Sequence, residues 1–159
     1  LTHKANELGH IAQVITAGRA VNDGMSKHLV TELVKAMLKE GKDINNSKVL
    51  VMGITFKEDV SDIRNSKVAN VIHEIGSYGI EVDVVDPFAD KDEVKEEYNI
   101  DLKSSIATDY DAVIVAVSHK QYIELDENDF DGYLNKSGII FDIKGIYRNK
   151  VQKFRYLSL

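Results

Sequence analysis

Lys57 lies just past a short apolar run, Lys48-Val49-Leu50-Val51-Met52-Gly53, and Arg64 lies just before a helical pattern that opens at Ser66. Arginine offers a planar fork of donors and lysine a mobile point charge, and both suit phosphate or carboxylate. A helix N-terminus adds backbone N–H groups to the same task. Residues 53–66 are therefore equipped to hold an anion, or else form a solvated loop with an Arg–Asp pair inside it. Three further apolar runs end in polar residues: Asp86 after the second, Ser118-His119 after the third, and Asp142-Ile143-Lys144-Gly145 after the fourth. Asp86 can contact a ribose hydroxyl or cap the turn before Pro87. His119 can serve as an acid–base group, or be structural or solvated. His3, His10, His28 and His73 show no metal-ligand spacing, and no metal site is expected. The chain has no cysteine, so disulfides, thiolate metal sites and thiol nucleophiles are all excluded.

Chemistry at these positions requires elements that bring them together. Strand-like runs at 48–53, 80–85, 112–117 and 138–143 alternate with helical patterns at 66–78 and 90–98 and with helical turns through Leu134. Near-continuous Val/Ile runs separated by helices predict an α/β fold, a Rossmann-like doubly wound parallel sheet covered on both faces. In such a sheet the carboxyl ends of the strands share one rim, and ligands bind along it. Lys57, Arg64 and Lys144 are therefore expected around one anionic ligand. The first strand-to-helix turn keeps Gly53 but lacks the second and third glycines of G-x-G-x-x-G, so this is not expected to be the main NAD domain.

Residues 1–43 read as helix only, a connector and dimerisation arm ahead of a domain at 44–159. A short helix over residues 1–8 is followed by a long one from about residue 13 to 40, stopped by Gly41. Val21, Met25, Leu29, Leu33 and Ala36 form one apolar stripe, and Val30, Val34, Met37 and Leu38 a second. Two stripes call for two packing partners: the following domain, and a second copy or another domain. The other reading is a single wide face turned to the core. Apolar residues make up 43% of the chain, enough for a core, and the net charge of −6 argues against broad nucleic-acid binding. No apolar run approaches the roughly 18–20 residues that cross a bilayer. The absence of cysteine permits a reducing cytoplasm, the expected location. The opening on Leu1-Thr2-His3-Lys4 reads as that of a cut chain.

The run Gly53-x-x-Phe56-Lys57-x-x-x-x-Asp62-x-Arg64-x-Ser66 resembles the G-x-x-F-K…D-x-R-x-S signature of the UDP-glucose/GDP-mannose dehydrogenase family, in its carboxy-terminal part. Asp86-Pro87-Phe88 resembles its D-P-[YF], and Asp142-x-Lys144-Gly145 its late D-x-[KR]-G. Gly18-Arg19-x-x-Asn22-Asp23 resembles the branch acting on UDP-N-acetylhexosamines. The resemblance implies a two-step, four-electron oxidation of a sugar C6 alcohol to a carboxylate, with two NAD reduced. It implies an amino-terminal NAD domain, a long central helix that forms a homodimer, and a carboxy-terminal domain holding the UDP-sugar. By the same match, Phe56 and Lys57 line the sugar-nucleotide site, Lys144 meets UDP, Arg64 reaches toward NAD, and Arg19 meets substrate across the dimer interface. The family's catalytic thiol has no counterpart here. No catalytic residue is assigned to this chain, NAD is left mainly to another domain, and the chain alone is expected to be inactive. The competing reading is a non-catalytic nucleotide-binding or dimerisation module with the same fold.

Overall fold

The computed structural model describes residues 13–159, with side chains from residue 24 onward. The short helix expected over residues 1–8 lies outside that range, and so does the side chain of Arg19. Helix α1 spans Gln13–Lys39. It ends at Gly41 with φ +74°. Gly41 N–H donates to Leu38 O and Lys42 N–H to Met37 O, the paired bonds by which a left-handed glycine closes a helix.

The domain then alternates strand and helix. Strand β1 is Lys48–Met52, α2 is Lys67–Ser77, β2 is Glu81–Val85 and α3 is Lys91–Tyr98. They are followed by β3 (Tyr110–Val115), α4 (Lys120–Ile123), α5 (Glu127–Tyr133), β4 (Leu134–Asp142) and β5 (Arg155–Ser158). All five strands run parallel in the order β2-β1-β3-β4-β5.

Side-chain alternation divides the sheet between two cores. Val49, Val51, Ala112, Ile114, Ile139 and Phe141 pack on α1 and α2. Leu50, Met52, Val113, Val115 and Ile140 face the other way, against Tyr122, Phe130 and Tyr147. Burial on both faces explains why these strands read as unbroken apolar runs. The doubly wound sheet is as expected. Its chain order reverses between β1 and β3, which opens a crevice beyond their carboxyl ends.

Two expectations are corrected. The apolar stripes of α1 do not require an outside partner between residues 29 and 37. Leu29, Leu33 and Ala36 from one stripe and Val30, Val34 and Met37 from the other are all buried in the same core. The helix lies against both α2 and the sheet, so each stripe finds its cover within the chain; over this stretch the arm is part of the domain's core. Met25 and Leu38 remain exposed. The second correction is β5, a fifth strand that pairs with β4 from Ile139↔Arg155 to Asp142↔Ser158.

Candidate ligand cleft

The β1–α2 connection is a long loop, tied down at many points. Gly53 makes the first turn with φ +92°, and a Cβ there would lie 2.5 Å from Val117 Cβ. Its glycine is thus required by the close approach of the β1 and β3 ends. Phe56 N–H donates to Asp62 O (2.7 Å), which closes the loop on itself. Asp86, after β2, anchors its start. Asp86 Oδ2 accepts from Ile54 N (2.6 Å), Thr55 N (3.1 Å) and His119 Nε2 (3.1 Å), and Oδ1 accepts from Phe88 N and Ala89 N. Burial alone would raise this carboxyl, but the hydrogen bonds from His119 and the Ile54 and Phe88 amides hold it at about 2. With both oxygens so engaged, Asp86 acts as the turn cap and loop anchor, and its fully buried side chain does not reach a ribose.

The crevice is a cleft of about 350 Å³ between α1, α2 and the ends of β1, β3 and β4. Lys57 and Lys144 both line it, and Phe56, with 60% of its surface exposed, stands at its edge. The start of α2 enters from Asn65 to Val68, with Ser66 as N-cap accepting from Val68 N. Met25, Leu29, Val71 and Val117 supply apolar wall, and Glu58 is an anion at the rim. Two cations and a helix N-terminus suit an anionic group; the exposed aromatic and apolar wall suit a flat or apolar portion beside it.

Lys144 is positioned by Asp142. This buried carboxylate accepts from the Lys144 and Gly145 amides on Oδ1, and from Tyr147 N and Tyr156 OH on Oδ2. The aspartates of the D-P-F and D-x-K-G runs therefore do the same work, each folding the turn that follows its strand.

The three cations expected around one ligand divide. Arg64 does not share the cleft with Lys57 and Lys144. It lines a neighbouring groove with Ser61, Asp62, Ile63, Glu93, Glu96 and Glu97. Its guanidinium holds Asp62 through two bonds of 3.0 and 2.9 Å. That is the Arg–Asp pair the loop sequence allowed, and it holds the Asp62 carboxyl at about 2. Cations at the opposite end of the sheet are committed as well: Lys48 and Lys103 to Asp83, and Lys42 to Asp111. Among the described residues, no ion pair engages Lys57 or Lys144. Sequence reasoning missed the residues that hold the loop, Thr55, Asp59 and Tyr98. Tyr98 OH donates to Ile63 O (2.6 Å) and accepts from Ser66 N (3.2 Å), which fixes the entry into α2. Among the described residues, no group of three His, Asp or Glu could hold a metal ion, and no helix is long and apolar enough to cross a membrane.

Residues 50–149 match the sequence profile described as UDP-glucose/GDP-mannose dehydrogenase family, UDP binding domain. The chain belongs to this family. Among the family's members, the UDP-N-acetyl-D-glucosamine 6-dehydrogenase of Salmonella typhi is 40% identical over 145 residues, which are 91% of this chain and 34% of that protein. Protein CapL of Staphylococcus aureus is 44% identical over 147 residues, 92% of this chain and 34% of CapL. The crystal structure of NDP-N-acetyl-D-galactosaminuronic acid dehydrogenase from Methanosarcina mazei Go1 shares the fold, with a TM-score of 0.80 at 23% identity over 90% of this chain and 30% of that one. The chain thus spans about a third of the length of the curated relatives it matches. Within this dehydrogenase-family domain the β1 turn does not fit a dinucleotide pyrophosphate. Thr55 and Glu58 stand where the second and third glycines would be, and Val117 fills the space beside Gly53.

Proposed function

We propose that the cleft beyond β1, β3 and β4 holds the UDP part of a nucleotide sugar. In this reading the chain is the carboxy-terminal portion of an NAD-dependent UDP-sugar 6-dehydrogenase that makes UDP-uronic acids for polysaccharide synthesis. The observation that carries it is the meeting of Lys57 and Lys144, from strands that are not neighbours, in one cleft with the N-terminus of α2. Phosphate charge is what such a group of donors recognises. Phe56 and Lys57 line the sugar-nucleotide side, and Lys144 meets UDP. Arg64, whose side chain is 80% exposed in the adjoining groove, is assigned to the NAD side. Arg19 is assigned to substrate across a dimer interface. NAD is held mainly by another domain, which also supplies the catalytic thiol, so the chain carries out no oxidation by itself. The setting is the cytoplasm.

Calorimetric titration of the chain with UDP tests the site. One UDP per cleft is expected, and Lys144→Ala should weaken binding by about 10- to 100-fold, the scale of a lost hydrogen bond to a charged group. Absence of any UDP binding at millimolar ligand would sink the assignment; UDP binding with no dehydrogenase activity in the longer protein would favour the non-catalytic module.

The same reading gives a homodimer through α1, supported by the exposed apolar residues Met25 and Leu38. Sedimentation equilibrium should return twice the chain mass, and a monomer at high protein concentration contradicts this part.

A further inference from the structure

The side chain of His119 is wholly buried and stands at the meeting point of three strand ends. Its Nδ1 accepts from the Asp59 amide at 2.9 Å. The ring proton therefore sits on Nε2, directed to Asp86 Oδ2 at 3.1 Å and Thr55 Oγ1 at 3.2 Å. Thr55 is free to accept, since its own hydroxyl proton goes to Lys57 O. Phe88 and Tyr122 bracket the ring at centroid distances of 4.9 and 5.4 Å. The ring can neither slide nor turn without breaking one of these contacts. Its Asp59 partner is a loop residue in left-handed backbone, φ 56°. Such a conformation persists where surrounding bonds over-determine it. Here they do: Asp59 donates to His119, while its Oδ1 accepts from Lys120 N. The loop that presents Phe56 and Lys57 is thus tied at Asp59 to the segment after β3, by the His119 ring and by the Lys120 amide.

We propose that His119 is a positioning residue: Nδ1 holds the tip of the β1–α2 loop at Asp59, while Nε2 fixes the ring against Asp86 and Thr55, at a base that Asp86 already holds through the Ile54 and Thr55 amides, so that Lys57 stands in the cleft with Lys144. The proposal rests on the reading of that cleft as the UDP site. Buried inside the domain, His119 touches no substrate and acts through Lys57.

The test uses two substitutions that each keep one half of the ring's chemistry. His119→Asn leaves an amide oxygen near the Nδ1 position, able to accept from Asp59. His119→Gln leaves an amide nitrogen near the Nε2 position, able to donate to Asp86, but abandons the Asp59 amide. Both variants melt earlier for want of the ring. UDP affinity should fall about ten-fold in His119→Gln and stay within about two-fold in His119→Asn. Amide exchange at Asp59 should accelerate only in the Gln variant. Two folded variants that bind UDP like the wild type overturn the proposal. If the wild-type chain binds no UDP, the cleft assignment falls, and exchange across residues 54–62 decides the positioning role alone: unchanged protection in the Gln variant overturns it. If neither variant folds, ¹⁵N NMR of the wild type decides, and a proton on Nδ1 rather than Nε2 overturns it.

Discussion

Under the proposed function, Lys57→Ala in the longer protein is expected to lower turnover by about 10²- to 10³-fold, the scale of one lost electrostatic donor at a reacting centre. Three features single out this lysine. It lies in the loop a few residues past the buried strand β1, where its backbone is held: Thr55 Oγ1 donates to its carbonyl at 3.0 Å. It shares the cleft with Lys144 and the α2 N-terminus. Unlike Lys48, whose ammonium lies 2.9 Å from Asp83, it forms no ion pair among the described residues. A cation so placed can stabilise negative charge developing on the substrate oxygen, or hold the product carboxylate. Because Lys57 is exposed, its removal should shift the melting temperature little. Steady-state kinetics with thermal melts as control decide the matter, and the 159-residue chain serves as the blank, expected to form no NADH from any UDP-sugar. Near-normal turnover in a folded variant overturns the role. A raised KM with unchanged kcat limits Lys57 to holding the phosphates beside Lys144, with no part at the reacting oxygen.

Much of this arrangement was legible in the residues. The strands announced themselves because both faces are buried, which forces unbroken Val and Ile. Gly53, Asp86 and Asp142 marked the turns because each ends such a run. What the sequence hid was of two kinds. Strand β5 has only Arg155-Tyr156-Leu157-Ser158, a half-exposed edge strand with no apolar run to reveal it. The loop ties join residues far apart in sequence: His119 to Asp59, Asp86 to Ile54, Tyr98 to Ser66. No local pattern reports such contacts, and so His119 could not be assigned between acid–base and structural work. The α1 stripes misled for a related reason. Helical periodicity gives the width of an apolar face, but whether one neighbour or two cover it is a tertiary fact. Arg64 was the reverse case: Asp62 lies two residues away, so the pair that now holds it was readable locally.

Asp86→Ala should be the most damaging single substitution near the cleft, costing about 3–5 kcal/mol, because several buried donors are left without an acceptor at about 1–3 kcal/mol each. Its carboxylate is the acceptor for five donors on three segments, and the side chain has no exposed surface. Without it the Ile54 and Thr55 amides and His119 lose their partner, and the loop carrying Lys57 loses its base. The effect should also be written in the acid limb of stability. Asp86 sits at about 2 in the folded protein against an ordinary 3.8. A carboxyl lowered on folding adds stability that is complete above the unfolded value, and that drains away as pH falls from about 4 toward 2. The shift corresponds to about 2 kcal/mol. Asp86→Asn cannot titrate, so its stability should fall less steeply across that window while starting lower at neutral pH. Other lowered aspartates, such as Asp83 and Asp111, contribute equally to both proteins, so the difference isolates Asp86. Urea unfolding at pH 7, 4 and 2.5 provides the comparison. Parallel acid limbs in the two proteins would mean that Asp86 is protonated alike in folded and unfolded chains, and the loop would then need another anchor.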